Sequence, residues 1–421
     1  MPRYECRVGR IETDITTFRI LARMSWVATK LYNTALWNAR DVWDKTGKIP
    51  TGIDLQKTVY ESPYHVLLPA HTYQHPAHQV GNGFRSWFAL RKSDKTARPP
   101  GFRKKEFLSS ILFTEDAFRI AHNGIILLTI SKGLKDELGY PDKYMPLRIL
   151  RWGTPLPVGQ IKQLEIMPRN GYFEVHAKIL LPEPEWRTEG RIVAIDLGMR
   201  NPVTSASEDG KTEIYKGGKL LSHLRYWNKE RARVQSAIME RPKGRKDWSR
   251  SLSRMSKRGA RQVGQGIHAL TKQIAEDCSS GNVKEVVVGD LGGIKKDKDG
   301  KKWNDKSSQN WQQFPIREVV SQLRYKLERS GIRLVEIDER GTSKGRCSAC
   351  GNEDRKLMRR VHRGLFVCAN CGGHINADVN GARNILARYL HQIGKPVEGS
   401  SGGLAQPSVR RWNGHLWKVV S

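Results

Sequence analysis

Apolar residues recur at helical spacing from Thr17 to about Trp43, with Phe18, Ile20, Leu21, Met24, Val27, Ala28 and Leu31 along one stripe. That period predicts one amphipathic helix, or two in succession. Further helical stretches follow over 52–93, where Pro63, Pro69 and Pro76 are expected to break the chain. From 106 to 183 the period shortens. "FLSSILFT", "GIILLTI", "LRILRW", "IKQLEIM" and "YFEVHAKILL" read as strands, divided by turns such as Asn123-Gly124 and Asn170-Gly171. A small β-barrel or sandwich is the expected form. "PEPEW" at 182–186 reads as a linker into a second domain.

The second half alternates differently. "RIVAIDLGMRNPVTSASEDGKTEIYKGG" (191–218) predicts three strands in an antiparallel meander, and a long basic helical region runs on to about Cys278. "KEVVVGDL" is a fourth strand, and the helix "IREVVSQLRYKLERSG" leads to a fifth, "IRLVEIDE". A cysteine-bearing insert and the helix "NADVNGARNILARYLHQIG" follow. Residues 393–421, rich in Gly, Ser, Arg and Trp, are expected to form a flexible tail.

Charge narrows the partners. Lys and Arg number 73 against 42 acidic residues, a formal charge of +31 spread along the whole chain. A folded chain so basic implies a polyanion, nucleic acid before an anionic membrane surface. No apolar run approaches the ~20 residues that span a bilayer. "MPRYECRVGRIETD" has no signal-peptide core, so a cytoplasmic location is expected. Over 218–263, "NKERARVQ" and "RPKGRKDWSRSLSRMSKRGAR" carry too many Arg and Lys for one apolar seam, and contact with a nucleic-acid backbone is expected there.

Two sets of candidate ligands stand out. "CSAC" (347–350) and "CANC" (368–371) each hold two residues between cysteines, with 17 between the pairs. Cys347, Cys350, Cys368 and Cys371 therefore read as a zinc ribbon, ahead of a redox pair or an iron–sulfur site. The second set is acidic. Asp196 ends the strand "IVAIDLG", with a glycine close behind. Asp378 falls in the first turn of a helix, in line with Ala382, Ile385 and Tyr389, on a stripe that faces the sheet. An acid there either complements the helix dipole or has a metal or charged partner. Two carboxylates so placed suit Mg²⁺ and phosphodiester hydrolysis, for which a third acid normally completes the site.

Taken together, "IVAIDLGMRNPVT", "VVVGDLGGI", "IDERGTSKGRCSACG" and "CANCGGHINADVNGARNIL" resemble the C-terminal half of the TnpB family of transposon-encoded RNA-guided nucleases and its relatives, the compact type V CRISPR effectors. The resemblance is strong over 190–390 and weaker over 1–185. It implies an α+β multidomain protein. Residues 1–14 and 96–185 would form a wedge β-barrel and 15–95 a helical recognition domain. Residues 190–345 and 373–392 would form an RNase H-like (RuvC) nuclease domain, with a zinc ribbon at 346–372.

The resemblance further implies a guide RNA, target double-stranded DNA with a displaced strand, recognition of a short target-adjacent motif, Mg²⁺ or Mn²⁺ at the nuclease site and structural Zn²⁺. Whether one or two protein copies bind one RNA stays open. One departure matters. The family usually places its catalytic glutamate where this chain has Gly289, and Asp290 is not the usual ligand. Glu339 stands where proline is common, at the end of the fifth strand. One branch of the family has a relocated acid at this spot, so the expected catalytic and magnesium set is Asp196, Glu339 and Asp378. Arg383 is assigned to nucleic-acid binding at the scissile phosphate, with a surface salt bridge as the alternative. The implied function is an RNA-guided DNA endonuclease. The alternative is a guided binder that cleaves weakly or not at all.

Overall fold

The computed structural model describes residues 3–121, 125–151, 161–240, 250–290, 314–343, 345–362, 364–395 and 406–420. The Asn123-Gly124 turn and the basic residues 241–249 lie outside these. The chain divides into two compact units, Met1–Glu183 and Pro184–Ser421.

In the first unit, β1 (Arg3–Glu12) leads into α1 (Ile15–Thr46), which is one helix and not two. Asp14 caps its start by accepting from the Thr17 amide at 2.6 Å, and Gly47 closes it in the left-handed conformation at φ 68°. Nothing between these caps breaks the ladder. After α2 (Gly52–Tyr60) comes α3 (Ala70–Arg91), which carries Pro76 inside it. The proline predicts a break at this point, and the helix runs through it. Pro76, Ala77, Val80 and Phe84 are buried together, and that packing outweighs the lost backbone bond.

Six further strands and the short helix α4 (Lys132–Leu138) follow. The strands are β2 (Ile111–Thr114), β3 (Phe118–Ile120), β4 (Ile126–Thr129), β5 (Tyr144–Arg151), β6 (Ile161–Arg169) and β7 (Tyr172–Leu181). All pair antiparallel, in the order β2-β6-β7-β1-β5-β4-β3. Among the described residues no pairing joins the two end strands. In the basic "PPGFRKK" cluster, Arg103 turns inward. Its guanidinium donates to Ser109 Oγ at 2.6 Å and Gln79 Oε1 at 3.0 Å, and lies 3.6 Å from the centroid of Tyr32.

The second unit is built on a mixed sheet. The meander β8 (Arg191–Leu197), β9 (Val203–Ser207) and β10 (Thr212–Lys216) is antiparallel. Then β11 (Val283–Asp290) inserts parallel between β8 and β12 (Arg333–Asp338). Valine-rich β11 is an internal strand and apolar on both faces, as a strand covered on both sides must be. Strand alternation sorts those faces. Ile192, Ala194, Val287 and Ile337 meet a helix of 16 residues, Ala377–Gln392, through Ile385, Leu386, Tyr389 and Leu390. Val193, Ile195, Val286 and Val288 meet two helices on the opposite face, Arg250–Ser280 and Ile316–Glu328. In chain order the helices of this unit are α5 (Gly218–Met239), α6 (Arg250–Ser280), α7 (Ile316–Glu328) and α8 (Ala377–Gln392).

Between β12 and α8 lies a three-stranded sheet of β13 (Met358–His362), β14 (Leu365–Cys368) and β15 (His374–Asn376). The tail departs from expectation. β16 (Ser408–Trp412) pairs parallel with β10, and β17 (Trp417–Val420) completes a hairpin, so these residues extend the main sheet. Trp412 and Trp417 are buried, and Arg410 bridges Glu213 at 3.0 Å and Asp277 at 3.3 Å. Composition rich in Gly, Ser, Arg and Trp predicts a flexible tail, but over 408–420 the two buried tryptophans anchor the hairpin. Among the described residues no helix is long and apolar enough to cross a membrane.

Candidate functional site

Because β8, β11 and β12 run parallel, their C-terminal ends share one edge of the sheet. Parity then decides which side chains face α8. Asp196 follows Ile192 and Ala194 onto that face, and Gly289 follows Val287. Asp290 takes the opposite face and is exposed. Glu339, two residues beyond Ile337, keeps the α8 side. The space above Gly289 holds the Glu339 side chain: a Cβ at 289 would sit 2.1 Å from Glu339 Oε2 and 2.8 Å from its Cβ. The carboxylate from the end of β12 thus occupies the volume that a side chain on β11 would fill.

Asp378 arrives from α8. Asn376 caps that helix, its side-chain oxygen accepting from the amides of Asp378 at 3.0 Å and Val379 at 3.3 Å. One turn on, Gly381 lets the helix close on β8, since a Cβ there would lie 2.5 Å from Asp196 Oδ2. Asp196 and Asp378 therefore approach each other from a strand tip and a helix start, and Glu339 adds a third negative charge. Asp196 keeps some surface, but protein packs around it on nearly every side. Burial pushes its carboxyl well above the usual range, and the charges of Asp378 and Glu339 raise it further. Burial also pushes Glu339 up to about 7, with Asp290 and Asp338 adding to the shift. Glu339 Oε2 is buried and has no hydrogen-bond partner. A buried acceptor without a donor is costly and marks a place for a cation or water. The three carboxylates do not all converge within 4.8 Å, a spacing that only the cysteines reach among the described residues.

Two neighbours of Asp378 escaped the sequence reading. Asn201, in the β8–β9 turn, donates to Asp378 Oδ2 at 2.7 Å. Arg360, on β13 of the cysteine-bearing insert, reaches Asp378 Oδ1 at 3.3 Å, and its charge partly offsets the rise at Asp196. Neither has a local signature. Gly381 had one, since a glycine inside a helix costs ~1 kcal/mol and calls for a packing reason. Arg383 lies on α8. Burial lowers its pKa, and its Nη1 is buried without a hydrogen-bond partner.

The cysteines are gathered tightly. All four Sγ atoms lie within 4.8 Å of one another, with Cys347–Cys371 and Cys350–Cys368 both at 3.8 Å. Cys347 and Cys368 are buried beside Met358, Phe366 and Ile375, while Cys350 and Cys371 are exposed. Burial pushes the Cys347 thiol up to about 12, and the Asn370 amide beside Cys350 draws that thiol down to about 6. Four sulfurs so close need a cation to be ionised together. The cluster is compatible with a structural zinc site.

Residues 317–385 match the family described as Cas12f1-like, TNB domain, and residues 174–295 match OrfB_IS605, described as probable transposase. A CRISPR-associated endodeoxyribonuclease Cas12f1 from Sulfoacidibacillus thermotolerans is 42% identical over 85 residues, which span 20% of this chain and 19% of that relative. The TnpB-like protein ORF457 of Acidianus two-tailed virus is 21% identical over 410 residues, covering 90% of this chain and 86% of its own. A cryo-EM structure of a Cas12f1–sgRNA–target DNA complex superposes with a TM-score of 0.58 at 15% identity, over 88% of this chain and 83% of that one, and so shares the fold. These matches make the chain similar to TnpB proteins and to compact type V CRISPR effectors.

Proposed function

We propose that this protein is an RNA-guided DNA endonuclease whose nuclease centre is Asp196, Glu339 and Asp378. The observation that carries the reading is the Glu339 carboxylate lodged over Gly289, on the same sheet face as Asp196 and beside the helix that bears Asp378. The orphaned Glu339 Oε2 and the raised carboxyl of Asp196 suit divalent cations of the Mg²⁺ or Mn²⁺ type, held by these three acids. Such ions, when bound, would lower the pKa of an attacking water and neutralise charge on the leaving oxygen.

The chain's own residues do the rest. Asn201 fixes the Asp378 carboxylate, and Arg360 supplies a positive charge beside it. Arg383 would offer its unpaired Nη1 to a phosphate of the bound strand. The four cysteines would hold Zn²⁺ as a structural ion, fixing the segment that carries Arg360. Residues 190–345 and 373–392 are assigned to a RuvC-like nuclease domain and 346–372 to the zinc ribbon. Residues 1–14 and 96–185 are assigned to a wedge domain and 15–95 to a recognition domain. The partners would be a guide RNA and its complementary target DNA beside a short recognition motif, read as RNA-guided nucleases do. The Cas12f1 structure that shares the fold holds an sgRNA and a target DNA.

The test is cleavage of a matched target plasmid by the protein with its guide RNA and Mg²⁺. Wild type is expected to cut, Asp196→Ala and Glu339→Gln to be inactive, and Asp290→Asn to retain cleavage. If Asp290→Asn is dead while Glu339→Gln cuts, the third ligand is misplaced. A second reading, guided binding without cleavage, draws on the looser spacing of the three acids. It holds if wild type binds its target and never cuts.

A further inference from the structure

Away from the acids, α5 and α6 enclose an open cavity of about 640 Å³. Its lining includes His223, Tyr226, Trp227, Arg258, Arg261 and Gln262, with no carboxylate among the described residues that line it. Tyr226 is 57% exposed, a large aromatic surface left to solvent on a helix otherwise rich in charge. It stands edge-on to Trp227, with centroids 5.1 Å apart and planes at 76°.

Trp227 itself is fixed. Its indole N–H donates to Gln262 Oε1 at 2.7 Å, and it packs against α6 where Gly259 leaves room, since a Cβ there would come within 2.8 Å of the indole ring. Arg258 sits 5.8 Å from the centroid of that ring, and Arg261 stands exposed on the rim. On α5, one turn before Tyr226 and Trp227, the His223 ring packs 5.5 Å from Trp412, and His223 Nδ1 is buried with no hydrogen-bond partner. A cavity of this size holds one nucleotide. A rigid aromatic wall, two guanidinium groups, an amide and an unsatisfied ring nitrogen, with no anion among them, are the parts that recognise an unpaired nucleotide. The base stacks, Arg groups take its phosphates, and the polar groups meet its edge.

We propose that the cavity between α5 and α6 is a binding site for one unpaired nucleotide, stacked on Tyr226 with Arg258 and Arg261 on its phosphates. The site rests on the reading of this chain as a nucleic-acid-binding protein and adds to it a fixed point where a strand leaves regular pairing. The shared chemistry fits RNA or DNA, and the test separates the two.

The full-length protein is titrated into fluorescent adenine homopolymers, one RNA and one DNA, each longer than the roughly 4–16 nucleotides that one groove tracks. A 2-aminopurine in each strand reports stacking by quenching. Tyr226→Ala is expected to weaken binding by roughly 5- to 150-fold, the equivalent of ~1–3 kcal/mol per stacked base, and to relieve the quenching. Tyr226→Phe keeps the ring and is expected to bind as wild type. Arg261→Gln is expected to lower the salt slope by about one. Loss confined to the RNA strand assigns the site to the guide, loss confined to DNA assigns it to the target, and loss on both marks a general single-strand site. If wild type binds and Tyr226→Ala binds and quenches equally well, the site is refuted and the nucleic-acid reading stands. If Phe and Ala weaken binding alike, the stacking role is refuted. If wild type binds neither strand, both readings fall.

Discussion

The four cysteines and the three carboxylates are both sets of metal-type ligands, yet the chain assembles them in opposite ways. The cysteines come from 25 consecutive positions, two tight turns apart, and their sulfurs already stand within 4.8 Å. Local backbone geometry makes that site, with Phe366 and Ile375 as its small apolar backing. The acids come from positions 196, 339 and 378, brought together only because β8, β11 and β12 end on one edge and α8 begins above it. Their spacing is looser, and mutual repulsion with burial raises Asp196. With a metal bound, the cysteines would stabilise a segment with little core of its own, whereas the acids depend on the surrounding fold to hold them together.

Variants on each side sharpen the contrast. The largest effect belongs to Cys347→Ser, at a buried ligand. Structural zinc sites hold their ion with an apparent ~10–16 kcal/mol in isolated peptides. The variant should therefore lose its bound metal and unfold the insert, read as metal content by mass spectrometry and as faster proteolysis within 346–372. A protein that keeps full metal content and protease resistance would show that the cysteines are not its ligands.

Next comes Gly289→Ala. Its Cβ would meet Glu339 Oε2 at 2.1 Å, so the carboxylate must move while the strand stays paired. Cleavage should fall about 100-fold, as it does for a displacement of roughly 1 Å at a reacting centre, with the circular dichroism spectrum unchanged. The smallest effect is at Gly381→Ala, where the added Cβ would lie 2.5 Å from Asp196 Oδ2. Alanine favours the helix by ~1 kcal/mol, so melting temperature should hold or rise while cleavage drops roughly 10-fold. Equal losses of stability and activity in either glycine variant would mean that these residues serve packing and not the acids.

The same contrast explains what was legible in the sequence. Cys-x-x-Cys pairs announce themselves, and the valines of "VVVGDL" marked β11 as a buried strand, because short-range pattern dictated both. Asp196 and Asp378 were readable from the strand tip and the helix start. Glu339 could be singled out only through the vacancy at Gly289, a relation across 50 positions that resemblance and not periodicity supplied. Arg360 and Asn201 were missed because their partner Asp378 is 18 and 177 positions away, and no local pattern links them. Pro76 inside α3 and the β16–β17 hairpin went unread for a shared reason. Composition signalled a break and a loose tail, but burial of Pro76 in one case and of Trp412 and Trp417 in the other decided the conformation.

The central claim is that one carboxylate has changed strands while its position in space has been kept. The most direct measurement is plasmid cleavage by Glu339→Gly, alone and combined with Gly289→Glu. The single variant should be inactive, and the double variant, which restores an acid on β11 and clears the space above it, should regain cleavage. Undiminished cleavage by Glu339→Gly alone would contradict the account.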